Sequence, residues 1–286
     1  MFILKSFKDL STLKNILLKQ IPQSITVYGG LLHIMNSNRC SLEICVDSWP
    51  NFNTVICRRQ NKVLTSHPVQ FPNLCTMFTK DLENLRAMLM DDRVIDWTQD
   101  TIVRGIPGSY CDLIKEVSTG SGMDVKEFKG YNLMVHHNPE SLLHNESDPT
   151  LKISSLKVSH AELVAKQFDF GGSDLILNHV RSCIQHLPSA CILDDSGNPV
   201  SWCFSDELCE MRMAFTLPEY RRTGHMKTAL TALIKQIHAM GFPVYAHVSE
   251  ENTTAINMLT SFGFCNYCGV TEPFLFIVKP GGICIH

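Results

Sequence analysis

Residues 208–226 read LCEMRMAFTLPEYRRTGHM. An apolar, β-prone run from Leu208 to Leu217 passes into a polar loop, Pro218 to Thr223, that carries two adjacent arginines. Gly224 follows, and a helix begins. The first turn of a helix leaves about four N–H groups without internal partners, and the macrodipole favours an anion there. Gly224 has no side chain to hold a phosphate away from the backbone. Arg221 and Arg222 can add charge-assisted hydrogen bonds. The dipole contributes only ~0.3–1 kcal/mol at exposed sites, whereas hydrogen bonds to charged groups contribute about 1.5–3 kcal/mol each. The arginines and the backbone N–H groups therefore dominate a phosphate cradle. Taken alone, a solvated helix start that happens to carry Arg and Gly reads the same way. Strand alternation puts Glu210 and Arg212 on one face, and Met211, Met213 and Phe215 on the other.

Downstream, Gly224 to Met240 reads as a helix with Met226, Leu230, Leu233, Ile234 and Ile237 on one face, closed by Gly241. A strand (Val244 to Val248), a helix (Asn252 to Ser261) and two strands (near Phe264 to Cys268 and Phe274 to Val278) follow. Upstream, Ser159 caps a short helix to about Phe168, and Ser173 caps another to about His186. Ser189 to Leu193 is a strand, Asp194 to Asn198 a hairpin turn, and Pro199 to Phe204 the return strand. The order over residues 151–286 is ααβββαβαββ. The first half is also α/β. Ser24 to Tyr28 reads as a strand broken by Gly29-Gly30, and Leu42 to Val46 and Thr54 to Cys57 as strands either side of a turn. Lys80 to Met90 is a helix capped by Thr79, Ser109 to Val117 is another, and Tyr131 to Val135 is a strand. Residues 136–150 (HHNPESLLHNESDPT) are polar and aperiodic, which sets a linker at 141–150 between domains 1–140 and 151–286.

The 286 residues are 44% hydrophobic and 19% charged, which excludes a wholly disordered chain. With 25 basic and 28 acidic residues, the net charge of −3 offers no global attraction to nucleic acid or an anionic membrane. No run approaches the roughly 18 apolar residues of a transmembrane helix. The twelve cysteines sit mostly in apolar runs, as small hydrophobes do, and read as reduced, intracellular thiols. Residues 1–21 are basic and amphipathic, with Leu10, Leu13, Leu17 and Ile21 on one face. That pattern fits a first domain helix, a mitochondrial address, or an uncleaved segment that serves as both. Cytoplasm and the endoplasmic reticulum surface are the alternative locations. Cys265-x-x-Cys268 with Cys284-x-His286 has a zinc-like look, but no second tight pair supports it, and no metal is expected. Asn145-Glu146-Ser147 and Asn252-Thr253-Thr254 are glycosylation sequons by pattern only. His247 reads as a satisfied, half-buried histidine, and Trp49, Trp97 and Trp202 read as core.

Arg221 to Met226 resembles the pyrophosphate loop of the GNAT acyltransferase superfamily, and the ααβββαβαββ order resembles its fold. The phrases DSWPNFNTVI (47–56), GNPVSW (197–202), EMRMAFTLPEYRR (210–222) and GFPVYAHV (241–248) resemble the glycine N-acyltransferase family more closely, over nearly the whole chain. The resemblance implies an α/β protein: a C-terminal GNAT domain with a mixed central sheet, and an N-terminal α/β half only loosely like it. It implies no permanently bound cofactor. Acyl-CoA would be co-substrate, with glycine, or alternatively glutamine or another small amino acid, as acceptor to a monomeric enzyme. By the same resemblance Ala214, Phe215 and Thr216 lie along the pantetheine arm, and Arg221, Arg222, Thr223, Gly224, His225 and Met226 hold the pyrophosphate. Asn252 contacts the cofactor, and Glu210 is the general base. Arg212 and Arg181 are candidates to hold the acceptor's carboxylate. Two residues depart from the superfamily pattern: Met226 stands where Gly or Ala is usual, and Leu259 where many members carry a tyrosine. They motivate the alternative of a catalytically degenerate acyl-CoA-binding protein.

Overall fold

A computed structural model describes residues 1–60, 73–128, 130–142, 148–167, 174–267 and 273–281. Among the described residues the strands form three sheets. The largest contains β1 (Phe2–Leu4), β2 (Leu42–Val46), β3 (Thr54–Arg59), β4 (Asn73–Thr79), β5 (Thr101–Val103) and β6 (Asp124–Phe128). It also takes in β14 (Phe274–Val278) from the far end of the chain, in the order β1-β2-β3-β4-β5-β14-β6. Its β4–β5 pair is parallel, which makes the sheet mixed. A four-stranded antiparallel sheet runs β11-β10-β9-β8, from β11 (Met211–Thr216) through β10 (Pro199–Ser205) and β9 (Ser189–Leu193) to β8 (Lys152–Ser154). The third sheet holds β7 (Tyr131–His136) between β12 (Val244–Ser249) and β13 (Cys265–Tyr267). The two halves therefore exchange strands: β7 is paired on both edges by later strands, and β14 fills the gap between β5 and β6.

Helices α1 (Phe7–Leu18), α2 (Ile25–Asn36), α7 (His225–Ala239) and α8 (Thr253–Ser261) pack on a core common to both halves. That core joins Leu13, Leu31, Ile44, Ile192, Leu233 and Val244. Helices α3 (Leu82–Leu89) and α4 (Cys111–Gly120) cover the large sheet, while α5 (Ala161–Lys166) and α6 (Asp174–His186) cover the four-stranded one. In α1, Ser6 caps the first turn by accepting from Asp9 N–H at 3.1 Å, and Leu10, Leu13 and Leu17 are buried as their spacing predicts. No described helix is long and apolar enough to cross a membrane. Among the described cysteines none is in a disulfide, and most are buried. Of the tryptophans, Trp97 and Trp202 are core. Trp49 is only half-buried and donates to Asp9.

Several expectations are corrected. Ser24 to Tyr28 is not a strand but the start of α2, whose residues 25–33 are all buried. A short apolar run has no alternation to separate strand from buried helix. Gly29 and Gly30 do not end the segment; they let the helix touch its neighbours. A Cβ on Gly29 would lie 1.9 Å from the Leu208 carbonyl oxygen, and one on Gly30 would lie 2.6 Å from Cys57 Sγ. The cap of α3 is Asp81, whose carboxylate accepts from Glu83 and Asn84 N–H, not Thr79, whose hydroxyl is bound to Asp81 O and Thr54. Ser159 sits inside a 3₁₀ turn, Val158–His160, ahead of α5. Ser173, Asn145, Cys268, Cys284 and His286 lie outside the described residues.

Replacing Gly29 with Ala should destabilise the protein by about 1–3 kcal/mol, because backbone must shift to admit the methyl group. Gly120→Ala, where nothing lies within 4 Å, should be neutral or stabilising by about 0.5–1 kcal/mol. Urea unfolding midpoints of the two variants check this.

Candidate active site

The segment joining β10 to β11 decides where Glu210 points. It is a turn, so the strand begins at Met211 and not at Leu208. Asp206 Oδ1 accepts from the N–H of Leu208 (2.9 Å) and Glu210 (3.2 Å), an Asx-type turn held by the side chain itself. Asp206 N–H donates to Glu210 O, and Cys209 takes a left-handed φ of 60°. The Tyr245 hydroxyl donates to Leu208 O at 2.7 Å, while Cys209 Sγ lies 3.3 Å from Gly29 O. This anchoring from β12 and α2 turns the Glu210 side chain inward, where it has no exposed surface.

Four groups surround its carboxylate. His247 N–H donates to Oε1 at 3.0 Å, and His247 Nδ1 lies 3.1 Å from the same oxygen. Arg104 Nη1 donates to Oε2 at 3.4 Å, and Arg212 Nη1 stands 3.6 Å from Oε1. Arg104 comes from the end of β5 in the first half and also donates to Asp206 Oδ2 at 2.6 Å. Burial alone would raise the Glu210 carboxyl, but His247, Arg212 and Arg104 outweigh it and hold the group anionic, below the ordinary carboxylate range. For Asp206 burial prevails, and its carboxyl is raised to about 6. His247 as a residue is half-buried, and its side chain is enclosed, with Tyr245 and Phe274 edge-on at 6.0 and 6.1 Å.

Strand β11 carries a bulge that alternation hides. Trp202 faces Phe215 and Phe204 faces Arg212, so one extra residue sits between Arg212 and Phe215, where Met213 takes a φ of 51°. Trp202 and Phe204 share a face of β10; Arg212 and Phe215 therefore also share a face, which simple alternation denies them. Ala214 is exposed at the bulge. Strand β11 is the edge of its sheet and β12 the edge of another; the two meet without pairing, and Glu210 and His247 face each other across that junction.

At the far end of β11 the loop turns through Arg222 (φ 64°) and Gly224 (φ 82°), both left-handed. Space beside Gly224 is open: nothing lies within 4 Å of a Cβ built there. The first bond of α7 runs from Thr228 N–H to Gly224 O, so the N–H groups of His225, Met226 and Lys227 face outward. Arg221 donates through Nε to Thr216 O and lies over the Phe215 ring at 5.5 Å, which ties the loop to β11. Thr223 Oγ1 bonds Tyr220 O and His225 Nδ1, and Thr216 Oγ1 bonds Ser201. A cavity of about 340 Å³ opens beside this loop, lined by Lys152, Asp194, Tyr220 and His225 among others. Asn252 caps α8 by accepting from Ala255 N–H at 3.0 Å, so its carbonyl oxygen is committed to the helix. Leu259 is buried in the shared core. Arg181 is paired with Glu162 and Asn178 on the helical surface, apart from the Glu210 cluster, whereas Arg212 is part of it.

Arg104 is a site residue that sequence reading missed. Its signal is a lone charge within the apolar run TIVRGIP, residues 101–107. A second buried polar group, also missed, joins His179 and Cys183 of α6 to Glu207; Arg59 binds the Glu207 carboxylate at 3.2 Å. Burial lowers His179 to about 4 and keeps it neutral, while the Arg104 and Arg59 cations hold the Glu207 carboxyl below the ordinary carboxylate range.

The bulged edge strand ending in an arginine-flanked, open helix start defines a GNAT-type acyltransferase fold. A crystal structure of a Drosophila protein matches at TM-score 0.76 and 15% identity, over 97% of this chain and 98% of that one. A GCN5-related N-acetyltransferase from Sphaerobacter thermophilus matches at 0.50 and 11% identity, over 94% of each. The chain belongs to the aralkyl acyl-CoA:amino acid N-acyltransferase family, whose N-terminal model matches residues 1–188 and whose C-terminal model matches 190–270; it is an acyltransferase. It is 33% identical to glycine N-acyltransferase of Bos taurus over 88% of this chain and 91% of that one. It is 32% identical to the glycine N-acyltransferase-like protein Keg1 of Mus musculus over 92% and 95%.

Arg104→Met should leave Asp206 and Glu210 as buried charges short of a partner and cost about 3–5 kcal/mol, read from denaturant unfolding. Acid should also weaken the fold through His179. Its folded value of about 4 lies below the ordinary ~6.5, so the unfolded chain binds the proton first and stability falls as pH drops from about 6.5 towards 4. In His179→Gln that segment of the stability–pH curve should flatten by up to about 1.4 kcal/mol per pH unit.

Proposed function

We propose that this chain moves an acyl group from acyl-CoA to the amino group of glycine or another small amino acid, giving an N-acyl amino acid and free CoA. The observation that carries the reading is the placement of two unlike groups at the two ends of one edge strand. Buried, anionic Glu210 precedes β11; the open start of α7, flanked by Arg221 and Arg222, follows it. Six residues of strand span roughly 20 Å, a length suited to an extended pantetheine arm lying along Ala214, Phe215 and Thr216. The diphosphate would then meet Arg221 to Met226, and the thioester would lie at the junction of β11 and β12.

An amino acid acceptor is mostly ammonium at neutral pH and cannot attack until it loses a proton. Glu210 supplies the negative charge that draws that proton off. Arg212, the cation nearest Glu210 on β11, suits the acceptor's carboxylate. A backbone N–H at the Met213–Ala214 bulge suits the developing oxyanion. Neither Met226, whose N–H stays available, nor Leu259, whose side chain is in the core, removes a group that this scheme uses. A location in mitochondria with residues 1–21 retained fits the same reading, since the apolar face of α1 is built into the core.

Glu210→Gln should lower turnover by about 10²–10⁴ while CoA binding, measured by calorimetry, stays nearly intact. Product analysis by mass spectrometry over a panel of acyl-CoAs and amino acids tests the whole reading. CoA binding without any N-acyl product would support the non-catalytic alternative instead.

A further inference from the structure

His179 and Cys183 stand four residues apart in α6, so they share one face of that helix. Glu207, from the turn ahead of β11, meets them there. Cys183 Sγ lies 3.5 Å from His179 Nε2 and 3.8 Å from Nδ1, and Nδ1 lies 4.0 Å from Glu207 Oε2. One ligand atom from each of the three residues lies within 4.8 Å of the other two. Arg59 holds the other carboxylate oxygen, Oε1, at 3.2 Å, which leaves Oε2 facing the histidine. Cys183 and Glu207 are buried, whereas the His179 side chain keeps 20% of its exposure and is the member that solvent reaches. An imidazole, a thiol and a carboxylate thus converge from two separate pieces of chain, outside the Glu210 cluster.

We propose that His179, Cys183 and Glu207 bind a zinc ion through one imidazole nitrogen, Sγ and Oε2, with a solvent molecule as fourth ligand. Zinc takes nitrogen at ~2.0–2.1 Å, thiolate at ~2.3 Å and carboxylate oxygen at ~2.0–2.2 Å, and a tetrahedron of such bonds sets the ligand atoms roughly 3.3–3.6 Å apart. The separations of 3.5 and 4.0 Å about His179 approach this already, and side-chain rotation closes the rest. Metal binding needs a neutral imidazole and an anionic carboxylate. Burial keeps His179 neutral, and Arg59 and Arg104 keep Glu207 ionised. Cys183, a thiol whose pKa burial pushes far up, loses its proton to solvent as the zinc–sulfur bond forms. No electron moves. Arg59 and Arg104 oppose an added cation, but each is already engaged by carboxylates, Arg59 by Glu207 and Arg104 by Asp206 and Glu210, and the new thiolate adds a negative charge. The Arg59 bond to Oε1 becomes an outer hydrogen bond to a ligating carboxylate. The sulfur selects zinc against magnesium and calcium, which take oxygen ligands. A bound ion ties α6 to the turn that carries Asp206 and Glu210, and it does so whether or not the chain transfers acyl groups.

The test titrates the reduced, full-length chain, first freed of metal, with cobalt(II) chloride as the spectroscopic stand-in and then with zinc chloride. Expected are a near-ultraviolet sulfur-to-cobalt absorption band that zinc removes by displacement, a rise in melting temperature with zinc, and release of protons on binding. Cys183→Ala and His179→Gln should lose both the band and the thermal shift. Cys265→Ser and Cys284→Ser, which alter the zinc-like C-terminal pattern, should keep both. A wild type that shows no band, or gains no stability from zinc, would overturn the proposal and needs no variant to fold. A band kept in Cys183→Ala or in His179→Gln would overturn it too. So would a band lost in Cys265→Ser or Cys284→Ser, which would move the metal to the C-terminal thiols. None of these outcomes depends on acyl transfer, which the product analysis above tests separately.

Discussion

A carboxylate with no contact to water holds the halves of this protein in register. Glu210 can be anionic at that depth only because Arg104, Arg212 and His247 converge on it. They come from three different pieces of chain: the end of β5, strand β11 and strand β12. Burying an unpaired charge would cost several kcal/mol, so none of the three pieces can move away without exposing that cost in the other two. The same constraint places a basic group, a cation and an edge strand around one small volume.

Strand exchange has the same effect on a larger scale. With β7 paired between β12 and β13, and β14 between β5 and β6, neither half completes its sheet alone. Helix α2 closes the arrangement from the other side. Gly29 lets backbone meet backbone at Leu208, which sets the turn that aims Glu210. The geometry around Glu210 is thus supported by a helix 180 residues away in sequence.

The two ends of β11 are built by different physics. The helix-start end is local: left-handed Arg222 and Gly224, outward N–H groups and two arginines are all contained in a few consecutive residues. The Glu210 end is non-local: its burial, its charge state and its partner His247 depend on residues scattered from 29 to 247.

That difference decides what could be read in advance. The sequence by itself determined the helix start at Gly224, the hairpin turn at Asp194–Asn198, the apolar face of α1 and the succession of elements after residue 186. Each follows from local periodicity, capping or turn chemistry within a few residues. It also carried the phrases that resemble the family. The buried stretch 25–33 of α2, strand β4 and the bulge at Met213 escaped, because a segment buried on every side has no alternation and a bulge breaks it. Arg104 as a partner, the enclosure of Glu210 and the approach of His247 were decided by the tertiary structure alone. Whether a charge is neutralised depends on distance in space, and strand exchange brings together residues that no local pattern connects.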